Sequence, residues 1–258
     1  MTVVLDEHEW AKERIEARTL GKKPFETLTR VSKYYLDNNY GKKETRKAVE
    51  RFLLQCDPYA SIPKWANTIE NALNRALKYN AIQIDNVRIT VPEMKKISNL
   101  KGRQLQRLAF TLLCLAKYWN AVNPNCDGWV NNKDSDIMQI ANITTSIKRQ
   151  SSMYYTLNEL GLVSFSKRVD NINVKVCFIE DGETELTISD FRNLGYQYLK
   201  YLGEPYFECV NCGLTTKIRN PQNKNSAWKQ KYCKDCAVKI NIQQSVNSVM
   251  RARNDIIK

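Results

Sequence analysis

The chain has one histidine in 258 residues, His8, set in the charged stretch Asp6-Glu7-His8-Glu9-Trp10. Histidine is the usual general base and metal ligand near neutral pH. Hydrolases, nucleases and zinc motifs built on it are therefore disfavoured, and His8 reads as a solvated surface residue. Glycine (9) and proline (7) are too few for a collagen-like or low-complexity chain. No run of apolar residues is long enough for a transmembrane helix, so no membrane partner is expected. Met1-Thr2-Val3-Val4-Leu5 leads straight into acids, without a basic n-region or an apolar h-region. No secretory signal is expected, and a cytoplasmic location is. The phosphate cradles G-x4-G-K-S/T and G-x-G-x-x-G are missing. Asp134 and Asp136 are explained by a helix N-cap. The acids Glu180, Asp181, Glu183, Glu185 and Asp190 read as a solvated linker rather than a Mg²⁺ site. No catalytic set emerges, and the chain reads as a binder, not an enzyme.

What is abundant is positive charge. Forty Lys and Arg stand against 27 Asp and Glu, a net charge of +13. The surplus is steepest in residues 209–258, with ten basic and two acidic side chains. Such a balance fits a polyanion partner such as nucleic acid. Solubility alone is the plainer alternative.

Four of the eight cysteines form two knuckles, Cys209-Val-Asn-Cys212 and Cys233-Lys-Asp-Cys236, twenty residues apart. A C-x2-C turn aims two thiolates at one point, and two turns complete a tetrahedron around Zn²⁺. Disulfides fit poorly with a reducing compartment, and no βαβ setting for a redox pair is visible. Four thiolates leave no open position for water, so one structural zinc is expected. Gly213 suits the turn after the first knuckle. Cys114 and Cys177 read as small buried hydrophobes. Lys217, Arg219, Lys224, Lys229, Lys231, Lys234 and Lys239 run along the ribbon, with Trp228 and Tyr232 between them. Cations with aromatics suit phosphate contact and base stacking, while a solvated ribbon with Trp228 packed on the knuckle fits equally. After Cys236, Val238, Ile242, Val246, Val249 and Met250 recur at near-helical spacing, followed by Arg251 and Arg253. Residues 231–237 and 250–253 resemble a zinc-ribbon tail attached to phage and mobile-element proteins of Gram-positive bacteria. That resemblance covers about 50 residues. It implies a module and a bacterial host cell, but no activity.

The middle of the chain alternates between helical and strand patterns. Leu105, Leu108, Ala109, Leu112, Leu113, Leu115 and Ala116 predict a helix over 103–119. A short strand at 128–130 follows. Asn132 or Asp134 caps a helix over 136–141, and a turn follows at Asn142. Thr144 or Thr145 caps a longer helix ending before Gly161. Residues 162–169 and 172–179 alternate as strands across the turn Asp170-Asn171. The order is that of a winged helix-turn-helix, whose second helix enters the major groove. Its exposed start carries Thr144, Thr145, Ser146, Lys148, Arg149, Gln150 and Ser151, residue types that read guanine and adenine edges. Ile147, Met153 or Tyr154, Leu157 and Leu160 supply the buried side. Lys167, Arg168 and Lys175 lie on the wing, within reach of phosphate. Residues 100–160, with Ile89-Thr90-Val91-Pro92-Glu93-Met94 before them, resemble winged-helix domains of phage replisome-organiser and plasmid replication-initiation proteins.

The N-terminal third predicts helices over 7–18, 25–36, 43–54 and 64–79, then a hairpin of 81–84 with 87–89 across Asp85-Asn86. Trp10, Tyr34, Tyr35, Phe52 and Trp65 read as core. The expected organisation is mainly α with small β elements. It comprises a helical domain (1–80), a winged helix (81–182), an acidic and helical linker (183–204) and a zinc ribbon with a C-terminal helix (205–258). The expected function is DNA binding in replication initiation or transcription control, with double-stranded DNA as ligand and a protein partner met through the N-terminal domain. Docking on a host complex and RNA binding through the ribbon's aromatics remain as alternatives.

Overall fold

The computed structural model describes residues 3–166, 173–219 and 230–256, with side chains as far as Met250. The protein is mainly helical with small sheets and a four-cysteine cluster near its C-terminus. Among the described residues no helix is long and apolar enough to cross a membrane. The chain divides into two compact units, Thr2–Asn86 and Val87–Lys258.

The first unit holds α1 (Glu7–Glu16), α2 (Pro24–Asp37), α3 (Lys42–Cys56) and α4 (Ile62–Lys78). All four fall where the periodicity places them. Asp6 caps α1 by accepting from the backbone N–H of His8 and Glu9. Pro24 and Pro63 sit in first turns, where a missing N–H costs nothing. Helix α2 is central, with every residue from Thr27 to Lys33 buried. Its apolar side meets Ala11, Val49, Phe52, Leu53, Ile69 and Leu73. Its polar side must be satisfied from within, and Glu7 does this. The buried Glu7 carboxylate accepts from Arg30 Nε at 3.0 Å and Lys33 Nζ at 2.7 Å, and from the Ile82 N–H at 3.1 Å. Burial pushes the Glu7 carboxyl up, but Lys33, Arg30 and the Ile82 amide together outweigh it and hold it below its usual range. Trp10 is not core: it lies half-buried between the guanidinium groups of Arg14 and Arg30, each 4.9 Å from its ring. His8 does not stand free in solvent. Its Nε2 lies 2.6 Å from Asp37 Oδ2 and its Nδ1 3.1 Å from Gln83 Nε2.

The hairpin expected at 81–89 does not form. Residues 82–84 bond back to the start of the chain, through Glu7 N–H to Ile82 O and Ile84 N–H to Leu5 O. Strand β1 (Val87–Thr90) pairs instead with β5 (Thr184–Ile188), nearly a hundred positions later in the sequence. Alternation assigns a face to a strand but not a partner. The unit boundary therefore falls at Asn86, inside the expected hairpin turn, rather than at 80.

The second unit is built around α6 (Arg103–Val122), which is buried at twelve positions. Around it stand α5 (Val91–Ser98), β2 (Trp129–Val130), α7 (Asp134–Ile140), α8 (Ile147–Glu159), β3 (Val163–Phe165), β4 (Val174–Val176) and α9 (Leu194–Tyr201). Strands β2, β4 and β3 form an antiparallel sheet in that order, with Val130 and Phe165 both opposite Val174. The turn Asp170-Asn171 lies outside the described residues. Beyond α9 come β6 (Tyr206–Glu208), β7 (Thr215–Lys217) and α10 (Lys234–Ile256).

The acidic segment 183–204 is no linker. Glu185 and Thr187 alternate with Leu186 and Ile188, so the segment forms β5 with Ile188 buried, and the helix expected in it is α9. Phe191, Leu194, Tyr198 and Leu199 then enter the core, where Phe191 meets Tyr118 and Tyr198 meets Phe110. Glu93 ties the start of this unit to the segment just before β5. Its fully buried carboxylate accepts from Thr90 N–H (2.8 Å), Lys117 Nζ (2.6 Å) and Glu180 N–H (3.0 Å).

Replacing Glu7 with Gln removes the buried charge that faces Lys33 and Arg30, leaving Arg30 the Glu26 carboxylate at 3.8 Å, and should destabilise the first unit by about 3–5 kcal/mol, read from denaturant unfolding. Because the folded carboxyl titrates below its unfolded value, this contribution is present above the ordinary carboxyl range and is lost as pH falls through the folded value. Wild type should lose the difference from the variant in acid.

Candidate metal centre and nucleic-acid surface

The first cysteine knuckle closes the β6–β7 hairpin. Cys209 N–H donates to Leu214 O at 3.0 Å and Gly213 N–H to Cys209 O at 2.8 Å, with Gly213 at φ +69°. A residue with a Cβ is strained there. The second knuckle opens α10: Cys233 precedes it and Cys236 lies in its first turn. The knuckles are tied by Val210 N–H to Lys231 O at 3.0 Å. All four Sγ atoms lie within 4.8 Å of one another, and Cys212 and Cys233 are 3.7 Å apart. Ligands about 2.3 Å from one tetrahedral ion would stand about 3.8 Å from each other. None of the four is in a disulfide. The cluster is compatible with a single metal ion, and among the described residues it is the one group of its kind.

The backbone prepares the cluster for negative charge. Burial raises the Cys209 thiol, but N–H groups of Cys233, Asn211 and Cys212 outweigh it and bring it down to about 6. Burial with neighbouring thiols raises Cys212 to about 12 and also raises Cys233. One thiolate forms readily, and the others need a cation beside them. Asn211 Nδ2 adds a donor 3.3 Å from Cys236 Sγ. Of the remaining cysteines, Cys114 is buried with its thiol pushed far up, whereas Cys177 is exposed and is not the buried hydrophobe its strand pattern suggests.

The second candidate surface is the start of α8. Its cap is Ser146, whose Oγ accepts from Arg149 N–H, rather than Thr144 or Thr145. Asn132 caps nothing: it accepts from Trp119 Nε1 at 2.7 Å. Met153, Tyr154 and Leu157 are buried as expected, but Ile147 is 81% exposed and Leu160 57%. Ile143, in the extended stretch before the helix, fills the core instead. Gly161 ends the helix at φ +70°. Thr144, Lys148 and Arg149 are exposed, Thr145 is half-buried, and Gln150 folds back towards Thr145 O at 3.4 Å. Lys148, Arg149, Lys217, Arg219 and Lys231 form no ion pair among the described residues. Lys175 does, with Asp127, so it is not a free wing cation. Lys167, Arg168, Lys224, Trp228 and Lys229 lie outside the described residues, as do the side chains of Arg251 and Arg253.

The turn expected at Asn142 is there, with Asn142 at φ +55°, and the structure adds the partners that patterning missed. The Asn142 carbonyl accepts from Arg107 Nη1 (2.8 Å), its Oδ1 from Tyr196 N–H (3.1 Å), and its Nδ2 donates to Asn193 Oδ1 (3.0 Å). Asn193, also left-handed, donates to Thr215 O on β7 at 3.0 Å. Arg192 Nη2 donates to Cys212 O at 2.6 Å. The start of α9 thus touches both the α7–α8 turn and the first knuckle. Left-handed φ at Asn is the one signal in the sequence, and it carries no address.

Gly195 lies against the same turn, and a Cβ there would stand 1.9 Å from Ala141 O. Gly195→Ala should cost at least about 1–3 kcal/mol, measured by thermal unfolding. Cys233→Ser should abolish stoichiometric metal, measured by metal analysis. Amide exchange should then quicken in β6–β7 and at residues 192–196, with the α6 core unchanged.

Comparison of the chain with protein-family models, with curated proteins and with solved structures finds no match.

Proposed function

We propose that the protein binds double-stranded DNA and recognises sequence, with residues 91–176 acting as a winged helix-turn-helix and the four cysteines holding one structural Zn²⁺. The observation that carries this reading is the first half of α8. With the loop before it, it exposes Thr144, Lys148, Arg149 and Ser151, and neither cation forms an ion pair among the described residues. The order α6–β2–α7–α8–β3–β4, with a three-stranded antiparallel sheet, is the frame that offers such a helix to the major groove. There, Lys148 and Arg149 would donate to guanine O6 and N7. Lys217, Arg219 and Lys231 would neutralise phosphates from the ribbon. Thiolates at all four positions favour Zn²⁺ over harder cations, and a closed set of sulfurs gives it a structural role. Replication initiation or transcription control of a phage or mobile element is the setting that the resemblances suggest.

A second reading is docking on a protein partner. It is favoured by exposed apolar groups on the same helix, Ile147 and Tyr155, the latter 64% exposed and edge-on to Phe165.

Selection from a random duplex pool at two salt concentrations separates the two. Enrichment of a motif, with affinity falling steeply as salt rises, is the expected outcome. Absence of binding at low salt defeats the DNA reading. Replacing Lys148 and Arg149 with Ala should lower discrimination by about 1–3 kcal/mol per lost base contact, measured by competition against single-base variants of the selected site.

A further inference from the structure

Asn193 is the N-cap of α9 and stands at φ +54°, yet its side chain makes no bond to its own helix. A cap of this type ordinarily accepts from an amide in the first turn. That acceptor comes instead from Asn142, in the α7–α8 turn, whose Oδ1 takes the Tyr196 N–H. The Asn193 side chain is thereby released to bridge two other elements. Its Nδ2 donates to Thr215 O on β7, and its Oδ1 accepts from Asn142 Nδ2.

Both ends of this bridge are closely packed. Thr215 is buried and follows Leu214, whose carbonyl accepts from Cys209 N–H and whose side chain lies against the thiols. Beside it, Arg192 is gripped by both carboxylate oxygens of Asp190 and donates to Cys212 O. At the other end, Gly195 lies so near Ala141 O that no Cβ fits between them, and Arg107 holds Asn142 O from α6. Ile143, next in the chain, is buried, and Ser146 then caps α8. Close packing and directional bonds transmit displacement. The cysteine hairpin is the part with least support of its own, since Leu214 is the apolar residue beside its thiols. A segment of that kind takes its fold from coordination.

We propose that metal binding at the four cysteines fixes the α7–α8 turn through Asn193, which makes the centre a metal-responsive control of the surface that α8 presents. With the ion bound, the hairpin offers Cys212 O and Thr215 O at set positions to Arg192 and Asn193. With the ion removed, those acceptors are no longer held, and the turn loses one side of its support. The two states of the hairpin differ in the contacts they offer to α9, which is what coupling between separate sites requires. The proposal rests on the metal reading of the cysteines and is independent of DNA binding.

The test is amide exchange on the full-length chain, Zn²⁺-loaded and chelator-stripped under reducing conditions. The reporters are Ala141, Asn142 and Ile143, which bond back to α7, and Gln150, which bonds to Ser146 O. Stripping wild type should quicken them about 10-fold, within the usual range of coupling between sites, with α6 unchanged. Asn193→Asp keeps the acceptor for Asn142 but turns a carboxylate oxygen onto Thr215 O. Asn142→Asp keeps the acceptor for Tyr196 but loses the donor to Asn193. Asp tolerates the left-handed backbone at both positions. Each variant should still bind one Zn²⁺, and the ion should no longer alter exchange at 141–143. Because coupling is reciprocal, each should also bind Zn²⁺ about 10-fold more weakly than wild type in competition with a chelator. A wild type that retains no Zn²⁺ removes the metal reading and this proposal with it. A wild type that holds Zn²⁺ but exchanges equally at 141–143 with and without it overturns the proposal alone. So does equal quickening of α6, or a variant in which Zn²⁺ slows these amides as in wild type. The wild-type comparison stands whether or not either variant folds.

Discussion

The second unit depends on how the turn at Asn142 is held. A left-handed residue between two short helices leaves its carbonyl and side-chain amide facing inward, and each needs a partner. Arg107 comes from α6, Tyr196 and Asn193 from the start of α9. The direction of α8 is therefore set by hydrogen bonds as well as by apolar contact. Bonds of this kind are directional, whereas apolar packing alone tolerates small shifts.

The protein uses different physics in different parts. In the first unit α2 is buried on all sides, so its two cations require the Glu7 carboxylate as an internal counter-charge. In the second unit α6 is enclosed mostly by apolar side chains. The cysteine hairpin has almost no apolar core: Leu214 is the hydrophobic residue beside its thiols. In segments of this size the coordination energy of a metal ion can substitute for burial. Arg192 donates to Cys212 O and Asn193 to Thr215 O, so an ion held by the four cysteines would also bear on the start of α9.

Exposure is what connects the fold to function. Lys148 and Arg149 at the start of α8 form no ion pair among the described residues, which is what the proposed polyanion ligand requires.

The sequence by itself determined the four N-terminal helices, the long α6, the α7–turn–α8 order and the cysteine knuckles. Each rests on information within a short window: apolar period, proline and glycine position, or thiol spacing. Only the tertiary structure decided that β1 pairs with β5, since a strand's alternation names a face and not a partner. The same holds for the acidic stretch, whose alternating Leu186 and Ile188 are outweighed by acids in any composition reading, yet are enough to seat a strand. It also holds for Ile147, which has the residue type of a core position but is exposed, while Ile143 is buried. Hydrogen bonds from Asn142 to Asn193, and from Asn193 to Thr215, join positions far apart in the chain. Pairings of that kind have no local period to betray them.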